Sequence, residues 1–198
     1  MAARPATADD LDAVVDTVAL AFAHDPVWEV ALARPDGALD HIPAFWRFFV
    51  DGAMRHGTVW VSGEADAVSV WLPDGEPEMS EDQAEALRRH LDASLPASRV
   101  ADLLTLWSRF EEHRALRPPH AYLNLLATHP RAAGRGLGMA HLAADLERWD
   151  AQGMPTYLES SNPANNARYA RHGYVEAGRF PTVIDQSPVT LMWRAVGG

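Results

Sequence analysis

Residues 121–140 read AYLNLLATHPRAAGRGLGMA. The apolar run ending near Thr128 has strand character, His129-Pro130 turns the chain, and Gly134-Arg135-Gly136-Leu137-Gly138 places three glycines at alternate positions. In the MAHLAADLERW that follows, Leu142, Leu146 and Trp149 recur at three- and four-residue intervals, the spacing of one face of an amphipathic helix. The predicted order is strand, glycine loop, helix. A helix N-terminus presents N–H groups without intrahelical partners, and its dipole puts partial positive charge at the same end. Phosphate is the natural guest of such a loop: glycines let it approach the backbone, and Arg135 in mid-loop can add a charge-assisted contact.

Two phosphate-binding readings compete. A dinucleotide fingerprint, Gly-x-Gly-x-x-Gly, is half matched: counted from Gly134 its third glycine falls on Met139, and counted from Gly136 it falls on His141. Glu159 closes a strand-like TYLE where a ribose-binding acid would sit, about twenty residues beyond the loop. Against this, residues 121–198 are too few for the repeated crossovers of a dinucleotide domain. A Walker A loop is excluded, because the chain has no Gly-Lys-Ser/Thr and no lysine at all.

The stretch PRAAGRGLG resembles motif A of the GNAT superfamily of acetyl-CoA-dependent N-acetyltransferases, whose loop runs Gln/Arg-x-x-Gly-x-Gly/Ala. Ala133 takes the Gln/Arg position, Gly136 the fourth and Gly138 the sixth; Ala133 is a departure that loses a side-chain contact and keeps a backbone N–H. Downstream, YLESSNPANNARYARHGY is similar to the strand, loop and helix that follow motif A, with Tyr169 four residues before Gly173-Tyr174 and with Asn162 and Asn165 at the two asparagine positions. VWVSGEADAVSVWLPDG and YLESSNP are similar to the branch that includes puromycin N-acetyltransferase. The likeness is weak before residue 57 and firmest over 120–175.

The resemblance implies one α/β (α+β) domain over residues 1–198, with an acceptor-side half to about 119 and a coenzyme half from about 120. Its mixed, mostly antiparallel sheet would splay between strands four and five and carry helices on both faces. The cosubstrate implied is acetyl-CoA. Its pantetheine arm would pair with the backbone of Leu125, Leu126 and Ala127, and its pyrophosphate would sit on Ala133, Gly134, Arg135, Gly136, Leu137, Gly138 and Met139; Asn162 and Asn165 are implied as further coenzyme-binding residues. Tyr169 is implied beside the thioester sulfur as general acid. Trp28, Phe45 and Trp46, on or near the first two helices, are candidates for the acceptor wall, although aromatics at helical spacing commonly serve as core. Asn124, polar within an apolar strand, points either into the cleft or to a neighbouring loop.

Composition limits the alternatives. With 198 residues and 47% apolar content, one domain with a full core is expected. No apolar run reaches eighteen residues and MAARPATADD carries no hydrophobic segment, so a soluble, cytoplasmic protein without membrane partners is expected. The chain has no cysteine, which removes disulfides, thiolate metal sites and sulfur nucleophiles. No two of the nine histidines share a metal-ligand spacing, so no metal is expected. The net charge of -10 argues against nucleic acid. Residues 120–198 carry +1 and the remainder -11, as suits a polyanionic coenzyme at one end and a cationic acceptor at the other; acids that merely keep the surface soluble would give the same pattern.

The remaining elements follow from pattern. Residues 4–7 read as an edge strand, and Leu11, Val14, Val15, Val18 and Phe22 as a packing helix. A second helix spans roughly residues 38–56, and residues 57–61 and 67–72 form a hairpin. Two helices fill 80–117, opened by Ser80-x-x-Gln83 as a capping box, an insertion that would shape the acceptor pocket. Residues 180–183 and 189–193 read as the last strand pair. Its exposed edge permits a monomer or a homodimer.

Acetylating an amine of lysine-like pKa at pH 7 requires removing a proton at a cost of roughly 4 kcal/mol. Glu159 is the first choice for general base, its alternative role being a structural carboxylate for the adjacent loop; His120, entering the central strand, is the reserve. The acceptor, a small-molecule or peptide amine, is not specified by any motif. A non-catalytic acyl-CoA sensor would keep Gly136 and Gly138 without depending on Glu159 or Tyr169.

Overall fold

The computed structural model describes residues 3–198. Strands β1 (Arg4–Pro5), β2 (Val59–Ser62), β3 (Ala67–Leu72), β4 (Ala121–Thr128), β5 (Thr156–Ser160), β6 (Val175–Pro181) and β7 (Pro188–Arg194) form one sheet. Their spatial order is β1-β2-β3-β4-β5-β7-β6. The helices are α1 (Leu11–Phe22), α2 (Trp28–Ala31), α3 (Ile42–Met54), α4 (Glu81–Ser94), α5 (Ala97–Ala115), α6 (Leu137–Ala151) and α7 (Asn166–Ala170).

Only β4 and β5 pair in parallel among the described strands, joined by the α6 crossover. A dinucleotide domain needs repeated parallel crossovers, so that reading is set aside. The parallel pairing is also short. It holds for Ala121 with Thr156 and Tyr122 with Tyr157, after which β4 runs on beside β3 while β5 turns to β7. The sheet therefore splays beyond Tyr122.

A bulge sharpens the splay. Val70 faces Leu125 and Trp71 faces Leu123, which leaves Asn124 unpaired on β4. One extra residue reverses the side-chain alternation. Ala121 and Leu123 pack towards α6, whereas Tyr122, Leu125 and Ala127 belong to the core beneath α1 to α5.

β3 is buried on both faces, as expected of a strand covered by helices on either side. Above it, Phe22, Trp28, Phe45, Trp46, Phe49 and Trp107 interlock with ring centroids 4.8–6.1 Å apart. The buried rings among them, Trp28, Phe45, Trp46 and Phe49, each contribute about 1.5–3 kcal/mol by leaving water. Below it, α6 lays Leu142, Leu146 and Trp149 against Trp71, and Trp71 Nε1 donates to Asp145 Oδ2 at 2.9 Å. His141 bridges Ser62 Oγ at 2.8 Å and Ser69 Oγ at 3.0 Å.

The last strand pair starts earlier than its residue pattern suggests. β6 begins at Val175 and ends at Pro181, and Thr182 already belongs to the turn. Glu176, Gly178 and Arg179 break any apolar alternation because β6 is an edge strand. Charge, a bulge between Glu176 and Gly178 and a terminal proline are the devices that keep such an edge from pairing with another chain.

Gly52 has a specific role within α3. A Cβ there would lie 2.2 Å from the carbonyl oxygen of Glu78, so only the bare backbone lets the segment after β3 cross the helix.

Candidate active site

Where β4 and β5 part, a cleft of about 70 Å³ opens, with Asn124, Leu125, Leu126, Glu159 and Tyr169 in its walls. Asn162, Asn165, Trp28 and Trp46 line it as well. The β4 edge beyond Tyr122 has no β5 partner. An extended ligand arm can pair with it as an added strand.

At the far end of β4 the glycine loop turns into α6. Gly136 is its N-cap in the left-handed conformation, with φ 72°. Ala140 N–H, which donates to Gly136 O at 3.0 Å, is the first to close a helical bond; among the described residues no acceptor meets the N–H groups of Gly136, Leu137, Gly138 and Met139. A Cβ on Gly138 would come within 2.4 Å of Thr128 Oγ1, so this glycine seats α6 against the end of the strand. Arg135 is exposed in mid-loop. These residues fit a pyrophosphate. Ala133 corrects the expectation drawn for its backbone: its N–H already donates to Pro130 O at 3.1 Å and closes a 3₁₀ turn.

Glu159 is the chemical centre of the cleft. Among the described residues, neither buried carboxylate oxygen has a partner of full hydrogen-bond geometry. Desolvation pushes the carboxyl up to about 7, against the pull of the nearby Tyr122 and Tyr157 hydroxyls and the Arg114 guanidinium. A base poised near neutrality is what proton removal at pH 7 demands.

Tyr169 stands on α7 with its ring edge-on to Tyr174 at 5.9 Å. Burial and the nearby Asp25 carboxylate push its phenol up to about 12, so it carries its proton throughout the neutral range. The turn before α7 is built by the asparagines. Asn162 Oδ1 accepts from Ala164 N at 3.0 Å, and Asn165 Oδ1 accepts from Arg168 Nη1 at 3.0 Å. Their carboxamide oxygens are thus committed to the loop.

Several participants carried no sequence signal. Asp25 accepts from Val27 N at 3.0 Å and Trp28 N at 3.2 Å through Oδ1, and from Ser161 Oγ at 2.7 Å through Oδ2. It ties the α1–α2 turn to the β5–α7 loop. Glu78 pairs with Arg114 at 3.3 Å, and the Arg114 guanidinium lies 4.8 Å from the Tyr122 ring centroid. Burial pushes the Glu78 carboxyl up.

Two candidates lie apart from the cleft. Phe45 is fully buried and stacks on Trp107 at 6.1 Å, behind the cleft wall, so it is core and not acceptor contact. His120 is buried between Tyr157 and Trp193, and Nδ1 lies 2.8 Å from Pro118 O. Burial lowers its pKa, but it stands at the closed base of the splay. Asn124 does line the cleft, and its buried Nδ2 has no partner among the described residues.

A sheet split at its parallel pair, a bulge on the fourth strand and a glycine loop capping the crossover helix together define the GNAT acetyltransferase fold. The chain is similar over 98% of its length to a solved structure described as histone acetyltransferase HPA2 and related acetyltransferase from Corynebacterium glutamicum, with 24% identity, 95% of that chain covered and a TM-score of 0.64. It is likewise similar over 98% of its length to arylalkylamine N-acetyltransferase 2 from Aedes aegypti, with 13% identity, 98% of that chain covered and a TM-score of 0.69. An agmatine N-acetyltransferase variant in its apo form gives 16% identity, 98% coverage of each chain and a TM-score of 0.66. No family model matches the chain. Among the described residues no helix is long and apolar enough to cross a membrane.

Proposed function

We propose that this protein is an acetyl-CoA-dependent N-acetyltransferase that passes the acetyl group directly to a primary amine. The observation that carries the reading is the buried, unpartnered Glu159 carboxylate in the split between β4 and β5, in one cleft with the Tyr169 hydroxyl. Glu159 takes the amine proton, directly or through water. The freed nitrogen lone pair forms the C–N bond at the thioester carbonyl, the C–S bond breaks as Tyr169 donates its proton to the departing sulfur, and the second proton that the nitrogen sheds in becoming an amide restores the phenol, while Glu159 returns its own to solvent. Leu125 to Ala127 hold the pantetheine arm by backbone pairing, while the N–H groups from Gly136 to Met139 and the Arg135 guanidinium hold the pyrophosphate. Positioning amine and thioester together supplies much of the acceleration, and acid and base supply the rest.

The likeness to the branch that includes puromycin N-acetyltransferase supports a small antibiotic-like or aminonucleoside amine as acceptor, with a peptide N-terminus as the other class. The test is release of free thiol from acetyl-CoA by purified protein with a panel of amines. The absence of cysteine leaves the protein itself without background. Release with an amine supports transfer; tight acetyl-CoA binding with no release from any amine points instead to an acyl-CoA sensor.

A further inference from the structure

Beside the catalytic cleft lies a second cavity, about 750 Å³ in volume, bounded by α3, α4, α5 and the segment that follows β3. Leu72, Met79, Leu87, Leu91, Trp107 and Phe110 give it an apolar wall. Its size falls in the range of small-molecule sites, about 300–1,000 Å³. The two cavities are continuous in their lining: Phe49, Glu78, Trp107, Phe110 and Tyr122 belong to both. The catalytic cleft, at about 70 Å³, has room for an aminomethyl end and little more.

We infer that this cavity is the acceptor pocket and that it selects primary amines borne on a bulky, apolar or aromatic body, in preference to polyamines. The inference rests on the acetyltransferase reading above and adds the acceptor class to it. The amine end passes the throat between Glu78 and Tyr122 to reach Glu159, and the body remains among the apolar side chains of α4 and α5. The charges around the cavity explain the second half of the inference. Glu78, the acid at the throat, is already paired with Arg114, and the remaining acids on the lining, Asp74, Glu76 and Glu111, are exposed at the rim. A second ammonium carried into this space would lose its water and find no free buried carboxylate, which is costly. An apolar body gains from burial at every position along the wall. Leu104 fits the same picture. It is 38% exposed on α5, yet it lines the cavity, where an apolar guest would cover it.

The test fills the cavity from its exposed side. Ala84 on α4 and Leu104 on α5 both line it and lie outside the buried core, so Ala84→Trp and Leu104→Trp occlude it without repacking the fold. Thiol release is measured with biphenylmethylamine, spermidine and ethylamine, and an unchanged Kd for acetyl-CoA confirms that each variant is folded. Wild-type protein should prefer biphenylmethylamine to spermidine by at least about tenfold in kcat/KM. Each tryptophan should raise KM for biphenylmethylamine by about tenfold or more and leave ethylamine, which needs only the cleft, unchanged. A preference for spermidine, or an unaltered KM for biphenylmethylamine in both variants, overturns the pocket assignment while acetyl transfer itself stands. Wild-type protein that acetylates none of the three but another amine of the panel also overturns the pocket assignment, whereas acetyl-CoA binding with no release from any amine of the whole panel defeats the transferase reading, and this inference with it.

Discussion

Two carboxylates are buried on opposite faces of the same sheet, and their surroundings differ in one respect. Asp145, beneath the sheet on α6, has its side chain 1% exposed and every approach occupied: Trp71 Nε1 donates to it at 2.9 Å, Arg148 is hydrogen-bonded to it, and His141 Nε2 lies 3.7 Å away. Glu159, above the sheet on β5, has among the described residues only the nearby Tyr122 and Tyr157 hydroxyls, neither in full hydrogen-bond geometry. A buried polar group that is fully partnered holds a structure together; one left unpartnered destabilises it until something binds. The lower face is finished, and the upper face is open for chemistry.

Exchanging each carboxylate for a neutral side chain tests that contrast. Glu159→Gln should lower kcat/KM at neutral pH by about a thousandfold, within the range of a lost general base, with no loss of thermal stability. The pH dependence follows from the same group. Because its folded-state pKa lies near 7, above the ordinary carboxylate value, the native protein holds the proton longer than the unfolded chain. Its contribution to stability therefore falls between about pH 4.5 and 7, by about 3 kcal/mol, while kcat/KM rises to a plateau above 7. Denaturant titrations at pH 5 and pH 8, wild type against variant, measure the first, and a rate profile measures the second. A flat rate profile would remove Glu159 from the mechanism.

Asp145→Ala should do the reverse. Leaving Trp71 Nε1 without its acceptor should cost about 2–3 kcal/mol of unfolding free energy, with acetyl transfer by the folded fraction unchanged within about twofold. If activity falls with stability intact, the two faces are not separable in this way. The two tyrosines sharpen the division further. Tyr169→Phe should slow kcat by about tenfold to a hundredfold with little change in KM for acetyl-CoA, whereas Tyr174→Phe, whose ring packs behind it, should leave kcat alone. Equal effects would make Tyr169 a packing residue. The smallest expected change is that of Arg135→Ala, exposed on the glycine loop: a loss of about threefold in acetyl-CoA affinity that fades as salt is added.

The lower half of the chain was legible because its signals are local. Three glycines at alternate positions and an apolar stripe three and four residues apart required a strand, a loop and a helix, and all three are present. The splay was implied by resemblance and is visible in a pairing that stops at Tyr122. Glu159 and Tyr169 do share one cleft. The misses have physical causes. Phe45 sits at the same helical spacing as a wall residue would, and periodicity cannot tell a ring behind the wall from one in it. Ala133's N–H is consumed by a 3₁₀ turn that Pro130 initiates, a local geometry that motif counting ignores. Asp25 meets Ser161 across 136 residues of chain, and no spacing rule spans such a distance. Glu78 lies in PDGEPEMS, where nothing is periodic, and it is positioned only because Gly52 lets that segment cross α3.

The two-residue seam between β4 and β5 also gives the protein a thermodynamic partner. A sheet joined over so short a span is almost two sheets, and a cosubstrate arm hydrogen-bonded along the open β4 edge would act as the strand that unites them. Such a ligand stabilises the folded state by mass action, by about 2.7 kcal/mol at a hundredfold excess over its Kd. If the proposed cosubstrate is acetyl-CoA, its supply then sets how long the molecule survives unfolding and proteolysis, as well as how fast it works.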